Sequence, residues 1–177
     1  TGDDVPGAAG DRFGERIAGL DKQFRADARE TRQYAGDIMT GVENLIARGM
    51  EQQQAIGASR LIGKAATATG ADNNDLADMY YALNNNLGIG EANMPKAFDV
   101  AAQAGKLGGF ELRDMAKWFP ELTTNYAALG IKGDQVGMQA LARLSAMLQV
   151  AREGSATPDT AANNVAKTAV IVHESGE

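Results

Sequence analysis

The sequence predicts an all-α fold, a compact multi-helix bundle of about seven short amphipathic helices with glycine-terminated ends. Three observations predict it. Apolar residues recur at alternating intervals of three and four, and no segment alternates with the period of two that a half-buried strand needs. Alanine (32) and glycine (21) make up nearly a third of the 177 residues, while aromatics account for only 6 %. A core built from such small side chains brings helices close together instead of resting on a few large anchors. Finally, a glycine followed by an apolar residue closes several of the helical runs.

The elements follow in order. A Gly/Asp/Pro-rich lead occupies residues 1–10 and reads as flexible. Phe13, Ile17, Leu20, Phe24, Ala28, Thr31, Ala35 and Ile38 then form one helical stripe with Asp, Arg, Lys, Gln and Glu between them. Gly36 should break or bend this stretch, and Asp37 is a plausible N-cap for a second helix ending at Arg48, so that residues 11–48 make N-terminal helices. A helical core module spans 49–172, with helices over about 51–69, 73–87, 91–106, 111–129 (bent near Pro120), 133–152 and 158–172. Thr157 before Pro158 is a cap followed by a first-turn proline, and Asn93 before Pro95 suggests the same. Val170-Ile171-Val172 is β-branched but continues a helical pattern, and 173–177 are a short tail.

Gly49-Met50, Gly88-Ile89 and Gly130-Ile131 share one chemistry. Glycine just past a helix end can take the left-handed conformation, and the apolar residue after it packs back on the last turn. Their intervals of 39 and 42 residues are close to the period of some helical-pair repeats, although the intervening sequences share little.

Charge and composition exclude several functions. With 17 Lys+Arg against 23 Asp+Glu, the net charge of −6 argues against a nucleic-acid partner, which requires clustered cations. Amphipathic stripes leave membrane contact possible but not favoured, because helices that lie on membrane surfaces are rich in Lys and Arg and this chain is acidic. No stretch approaches the length of a transmembrane helix, and the opening Thr1-Gly2-Asp3-Asp4-Val5-Pro6 resembles no signal peptide. Lacking an initiating Met, it suggests a piece of a longer chain. There is no Cys, and the one His is His173 near the end, so neither a zinc site nor a nucleophile–histidine arrangement has its parts. No cofactor is implied. Asp72-Asn73-Asn74-Asp75 lacks the ligand alternation and distal Glu of a calcium loop and reads as helix capping. Gly105–Gly109 and Gly133–Gly137 match GxxxG outside any apolar 20-mer, which points to loop and helix-start roles.

The aromatic residues are the candidates for partner binding. Trp118-Phe119-Pro120 is the densest apolar cluster; Met115, Phe119 and Leu122 share a face, which favours a core corner. Trp118 and Phe119 would be anchors if exposed, and Tyr80 is a third candidate. Tyr80 and Tyr81 point to two sides of their helix, so at most one of them should be fully buried.

The central motifs resemble a known family. Ile62-Gly63-Lys64-Ala65-Ala66-Thr67-Ala68-Thr69-Gly70-Ala71 is followed by Asp75-Leu76-Ala77 and Leu83-Asn84-Asn85-Asn86-Leu87-Gly88-Ile89. Then come Ala101-Ala102-Gln103-Ala104-Gly105-Lys106-Leu107-Gly108-Gly109-Phe110-Glu111-Leu112-Arg113-Asp114-Met115-Ala116-Lys117, Phe119-Pro120, Ala128-Leu129-Gly130 and Leu148-Gln149-Val150-Ala151-Arg152. In order and spacing, this series over about 50–165 resembles the conserved region of phage tail tape measure proteins of the TP901 type.

The resemblance implies a non-enzymatic structural role in a phage or prophage tail, in tail assembly and tail-length determination through protein–protein contacts. It implies the tail tube protein, tail assembly chaperones and tail tip proteins as partners, with several copies in the assembled tail. The implied location is the virion tail, and the bacterial host cytoplasm during assembly. The family brings no catalytic residue to this region.

Two other readings have some support. The near-40-residue spacing of helix ends also fits a generic helical scaffold or adaptor. Glu174-Ser175 resembles the Glu-Ser start of lytic transglycosylase domains, which would make this the truncated start of a murein hydrolase, but the Gly-Leu-Met-Gln stretch is missing. A ruler works best as an unbroken helix rising ~1.5 Å per residue. Gly at 49, 70, 88, 105, 108, 109 and 130, together with Pro120, points instead to a folded body with a radius of gyration of about 16 Å.

Leu144 lies on the apolar face of the 133–152 helix. Leu144→Asp should therefore unfold or strongly destabilise the domain, because an unpaired buried charge is costly; an unchanged melting temperature would contradict that assignment.

Overall fold

Glycine and proline punctuate the chain much as their chemistry requires. The computed structural model describes the backbone of residues 6–174 and the side chains of residues 14–168. It contains α1 (Pro6–Thr31), α2 (Ala35–Ala47), α3 (Gln52–Thr69), α4 (Asn73–Asn85), α5 (Met94–Gly108), α6 (Leu112–Ala128), α7 (Asp134–Glu153) and α8 (Pro158–Glu174), with a 3-10 turn over Glu91–Asn93. Among the described residues there is no strand, and the α-helices number eight where about seven were expected. α1 starts at Pro6, inside the segment read as a flexible lead, because proline suits the first helical position.

The break between α1 and α2 corrects the sequence reading. It falls at 32–34, with Arg32 at φ 57° and Gln33 N–H donating to the Ala28 carbonyl at 3.0 Å. An arginine thus fills the left-handed position usually given to glycine. Gly36 and Asp37 instead sit in the first turn of α2, whose N-cap, Tyr34, makes no side-chain capping bond. The stripe's period of three and four runs across the break, which hid its position.

The three glycine–apolar ends behave as expected. Gly49, Gly88 and Gly130 have φ of 95°, 67° and 72°. Met50 N–H reaches the Leu45 carbonyl at 3.0 Å, Ile131 N–H that of Tyr126 at 3.1 Å, and Ile89 N–H that of Leu83 at 3.1 Å. Met50 and Ile89 are buried, and Ile131 packs at the core's edge. Asp72 caps α4 by accepting from Asn74 N–H at 2.8 Å, and Thr157 Oγ1 accepts from Thr160 N–H at 3.2 Å at the start of α8. Asn93 makes no such bond to the start of α5.

A single hydrophobic cluster runs from Phe24 to Ala166, so α1 and α2 share their core with the later helices. α4 is central, packing most extensively on α6 and also on α2 and α3, while α5 pairs with α7 and α8 rests on α6 and α7. Leu76, Met79 and Leu83 of α4 and Met115, Phe119 and Leu122 of α6 meet in the interior, and Leu144 of α7 is buried as its stripe required. One carboxylate is buried with them. Asp27 accepts from Ser59 Oγ at 2.7 Å and pairs with Arg60 at 3.3 Å, which offsets its loss of hydration.

Close backbone approach sets the junction between α4 and α7. Gly133 N–H donates to the Leu87 carbonyl at 2.8 Å, and a Cβ on Gly137 would collide with that same carbonyl and meet Ile89 Cγ1 at 3.0 Å. The Gly133–Gly137 pair is therefore a contact device as well as a helix start. Gly105, inside α5, does similar work, since a Cβ there would lie 2.9 Å from the Phe110 carbonyl oxygen.

Gly57 in α3 faces open space, so Gly57→Ala should raise stability by about 0.5–1 kcal/mol. Gly137→Ala should instead lower it by about 1–3 kcal/mol through the clash with Leu87. Urea unfolding of the two variants distinguishes them, and equal shifts would contradict the close-approach role.

Candidate partner-binding surface

α6 positions two of the three aromatic candidates. Pro120 lies inside this helix, which nevertheless continues to Ala128. Proline supplies no N–H to the turn before it. Just beyond, Thr123 and Thr124 turn their hydroxyls back on the helix, donating to the Phe119 carbonyl at 2.7 Å and the Pro120 carbonyl at 2.8 Å.

The structure separates the candidates. Phe119 is fully buried and Tyr80 is 3 % exposed, so neither is a surface anchor. Each occupies the apolar face its helical period prescribes. Tyr80 packs against Phe98 with ring centroids 6.3 Å apart and planes at 54°, a tilted arrangement of the kind aromatic pairs favour. Trp118 is half-buried and ties α6 to α8, its indole Nε1–H donating to Asp159 Oδ1 at 3.0 Å. Of the three, only Trp118 presents any surface. Tyr81, as expected of the pair, is only half-buried; the Arg48 guanidinium lies 5.9 Å from its ring centre and also pairs with Asp78 at 2.7 Å.

The exposed apolar side chains lie elsewhere. Leu107 is 90 % exposed at the end of α5, and Val150 is 69 % exposed on α7. Val150 and Met147 border a cleft of about 390 Å³ between α7 and α8, floored by Ala151 and Val165. A second hollow of about 480 Å³ lies between α5 and α7, lined by Lys96, Met138, Gln139 and Ala142. Large apolar residues off the buried stripe of an amphipathic helix were the available signal, and aromatic content drew attention away from it.

Asp134 opens α7 and accepts from Gly90 N–H at 2.6 Å; that bond and one from the Asn93 side chain hold its carboxyl below the usual range. Burial pushes Asp75 up, helped by neighbouring Asp72 and Asp78 and opposed by Lys117. Burial, with a contribution from Glu91, raises Tyr80 to about 12, and burial also raises Tyr126. Among the described residues no group of three or more His, Cys, Asp or Glu could hold a metal ion. No described helix is long and apolar enough to cross a membrane. His173 and Glu174 fall in the last turn of α8, where side chains lie outside the described residues.

The comparisons place this helical body among tail proteins. The model of the phage-related minor tail protein family matches residues 22–172, and the chain belongs to that family. The match extends beyond 50–165 on both sides, so α1 and α2 carry more of the family pattern than their motifs suggested. The chain is also 45 % identical over 147 residues to a "Probable tape measure protein" of Burkholderia phage BcepMu. That alignment covers 82 % of this chain and 17 % of the relative. No solved structure matches.

Tyr80 sets an alkaline limit. Its folded value of about 12 lies above the ordinary 10, so the unfolded state loses the proton first. Its stabilising contribution is complete below pH 10 and is lost as pH rises through 12. Thermal melts should show stability falling over that window. Tyr80→Phe should flatten the fall.

Proposed function

We propose that this chain is a folded, non-enzymatic module of a tail tape measure protein, acting in tail assembly and tail-length determination through protein contacts. The single observation that supports this most is the 45 % identity to the phage tape measure relative over 82 % of the chain. The physical form of the chain refines the role. α7, at 20 residues, would span ~30 Å, and helices of such length fold back on one another through left-handed glycines. A body folded this way measures no length itself. It gives an extended helical portion of the longer protein a fixed shape to attach to, and it presents contact surfaces to tube, chaperone and tip proteins. These contacts form in the host cytoplasm during assembly and persist in the tail.

The test uses a phage that carries this chain within its full-length protein. In-frame deletions in the helical portion outside this module should shorten tails by ~1.5 Å per residue removed, as measured in electron micrographs. Deletion of residues 22–172 should abolish ordered tails instead of shortening them. Tails of unchanged length after the first change, or intact tails after the second, would contradict the proposal.

A further inference from the structure

We propose that the polar hollow between the start of α2 and the start of α4 is a weak calcium site, with Asp37, Asp72 and the side-chain oxygen of Asn73 as its ligands. This goes beyond the role in tail assembly and does not rest on it.

The argument starts from a buried oxygen. Asn73 is 8 % exposed, and its Oδ1 has no hydrogen-bond partner among the described residues. A relay of bonds fixes which end of the amide that is. The Thr31 carbonyl can only accept, so Thr67 Oγ1 donates its hydrogen there. Thr67 Oγ1 in turn accepts from Gln33 Nε2 at 2.7 Å, which leaves Gln33 Oε1 to face Asn73. Asn73 Nδ2 donates to that oxygen at 3.1 Å, and a flipped amide would set oxygen against oxygen. Oδ1 is therefore the unanswered end. A buried acceptor without a donor is costly, and a bound ion removes that cost.

The surroundings select a cation. Asn73 borders a hollow of about 370 Å³ together with Gln33, Asp37, Thr40 and Asp72, and none of the described residues around it is Lys, Arg or His. Asp37 and Asp72 are exposed carboxylates that form no ion pair with any described residue. Thr40 Oγ1 gives its hydrogen to the Gly36 carbonyl at 2.9 Å and keeps only lone pairs to offer. Asp72 Oδ1 accepts from Asn74 N–H at 2.8 Å, which answers the partial positive charge at the start of α4 and leaves Oδ2 for a ligand. An anion here would meet two carboxylates and a lone pair. A cation meets acceptors alone.

The donor set narrows the choice of ion. Every candidate ligand is oxygen, so metals that prefer thiolate or imidazole have nothing to hold them. Magnesium demands a near-ideal octahedron, whereas calcium takes six to eight oxygens in irregular geometry and completes its shell with water. The hollow has room for that water. Because the ligands come from the starts of two helices, the Asp72–Asp75 run shows none of the spacing of a calcium loop. With only two carboxylates, the expected dissociation constant is on the order of 0.1–1 mM, as in weak calcium modules.

Titration calorimetry of the chain with CaCl2, in metal-free buffer at constant ionic strength, tests the proposal. It should show one site in that range, with MgCl2 binding at least fivefold more weakly. At about 10 mM, CaCl2 should raise the melting temperature by about 3–8 °C over matched NaCl. Asp37→Asn and Asp72→Asn should each weaken calcium binding at least tenfold. Both should keep the fold, since Asp37 is exposed and asparagine caps a helix as well as aspartate does. Asp99→Asn, exposed on α5, should leave binding unchanged. In NMR spectra the side-chain amide resonances of Asn73 should move as calcium is added, and those of Asn163 on α8 should not. Absence of binding would overturn the proposal. So would equal affinity for magnesium, binding that survives both carboxylate variants, or an Asn73 amide that does not respond.

Discussion

Everything in this fold depends on backbones approaching more closely than ordinary side chains permit. The Leu87 carbonyl at the end of α4 accepts from Gly133 N–H and lies where a Cβ of Gly137 would be. Gly88, on the same turn, would place a Cβ 2.8 Å from the Gly133 nitrogen. A similar backbone contact recurs at Gly105 against Phe110, and a Cβ on Gly63 would meet the Thr31 side chain. Dispersion falls steeply with separation, so a chain with few aromatic residues gains its cohesion by bringing helices together and filling the interior with alanine and mid-sized side chains. The cost is sensitivity, because at these points one added methyl group has no space to occupy.

Much of this was legible in the sequence, for reasons that individual elements make plain. Helices α3 to α8 follow from amphipathic period and punctuation, and Asp72 and Thr157 cap where their chemistry predicts. A break in the N-terminal stretch was legible but its position was not, because Arg32 holds a left-handed position with no glycine to mark it while the apolar period continues past the interruption. Gly36, the visible marker, lies inside a helix. The close-approach role of Gly137 depends on a carbonyl 50 positions earlier in the chain, and no local pattern encodes that meeting.

The candidate site fared differently. Aromatic residues draw attention as anchors, yet Phe119 and Tyr80 belong to a core that has few large side chains to spend on its surface. The burial of Met115, Phe119 and Leu122 together is what their shared face requires. Exposure falls instead at aliphatic positions such as Leu107 and Val150, off the buried stripes of α5 and α7, and at one aromatic outside the candidate set, Tyr34 before α2. The Trp118–Asp159 bond, between residues 41 apart, also required the tertiary fold to become visible. Family membership agrees with the motif series, which pointed to tail proteins before any coordinate did.

Native-state hydrogen exchange tests the central claim most directly, that small-residue contacts join all the helices into one cooperative unit. The slowest amides of α2, α4, α6 and α7 should exchange through a single global opening, with one shared free energy and one denaturant dependence. Two separate values, one for the helices before Leu87 and another for those after it, would show that the glycine-mediated junction does not unite the fold.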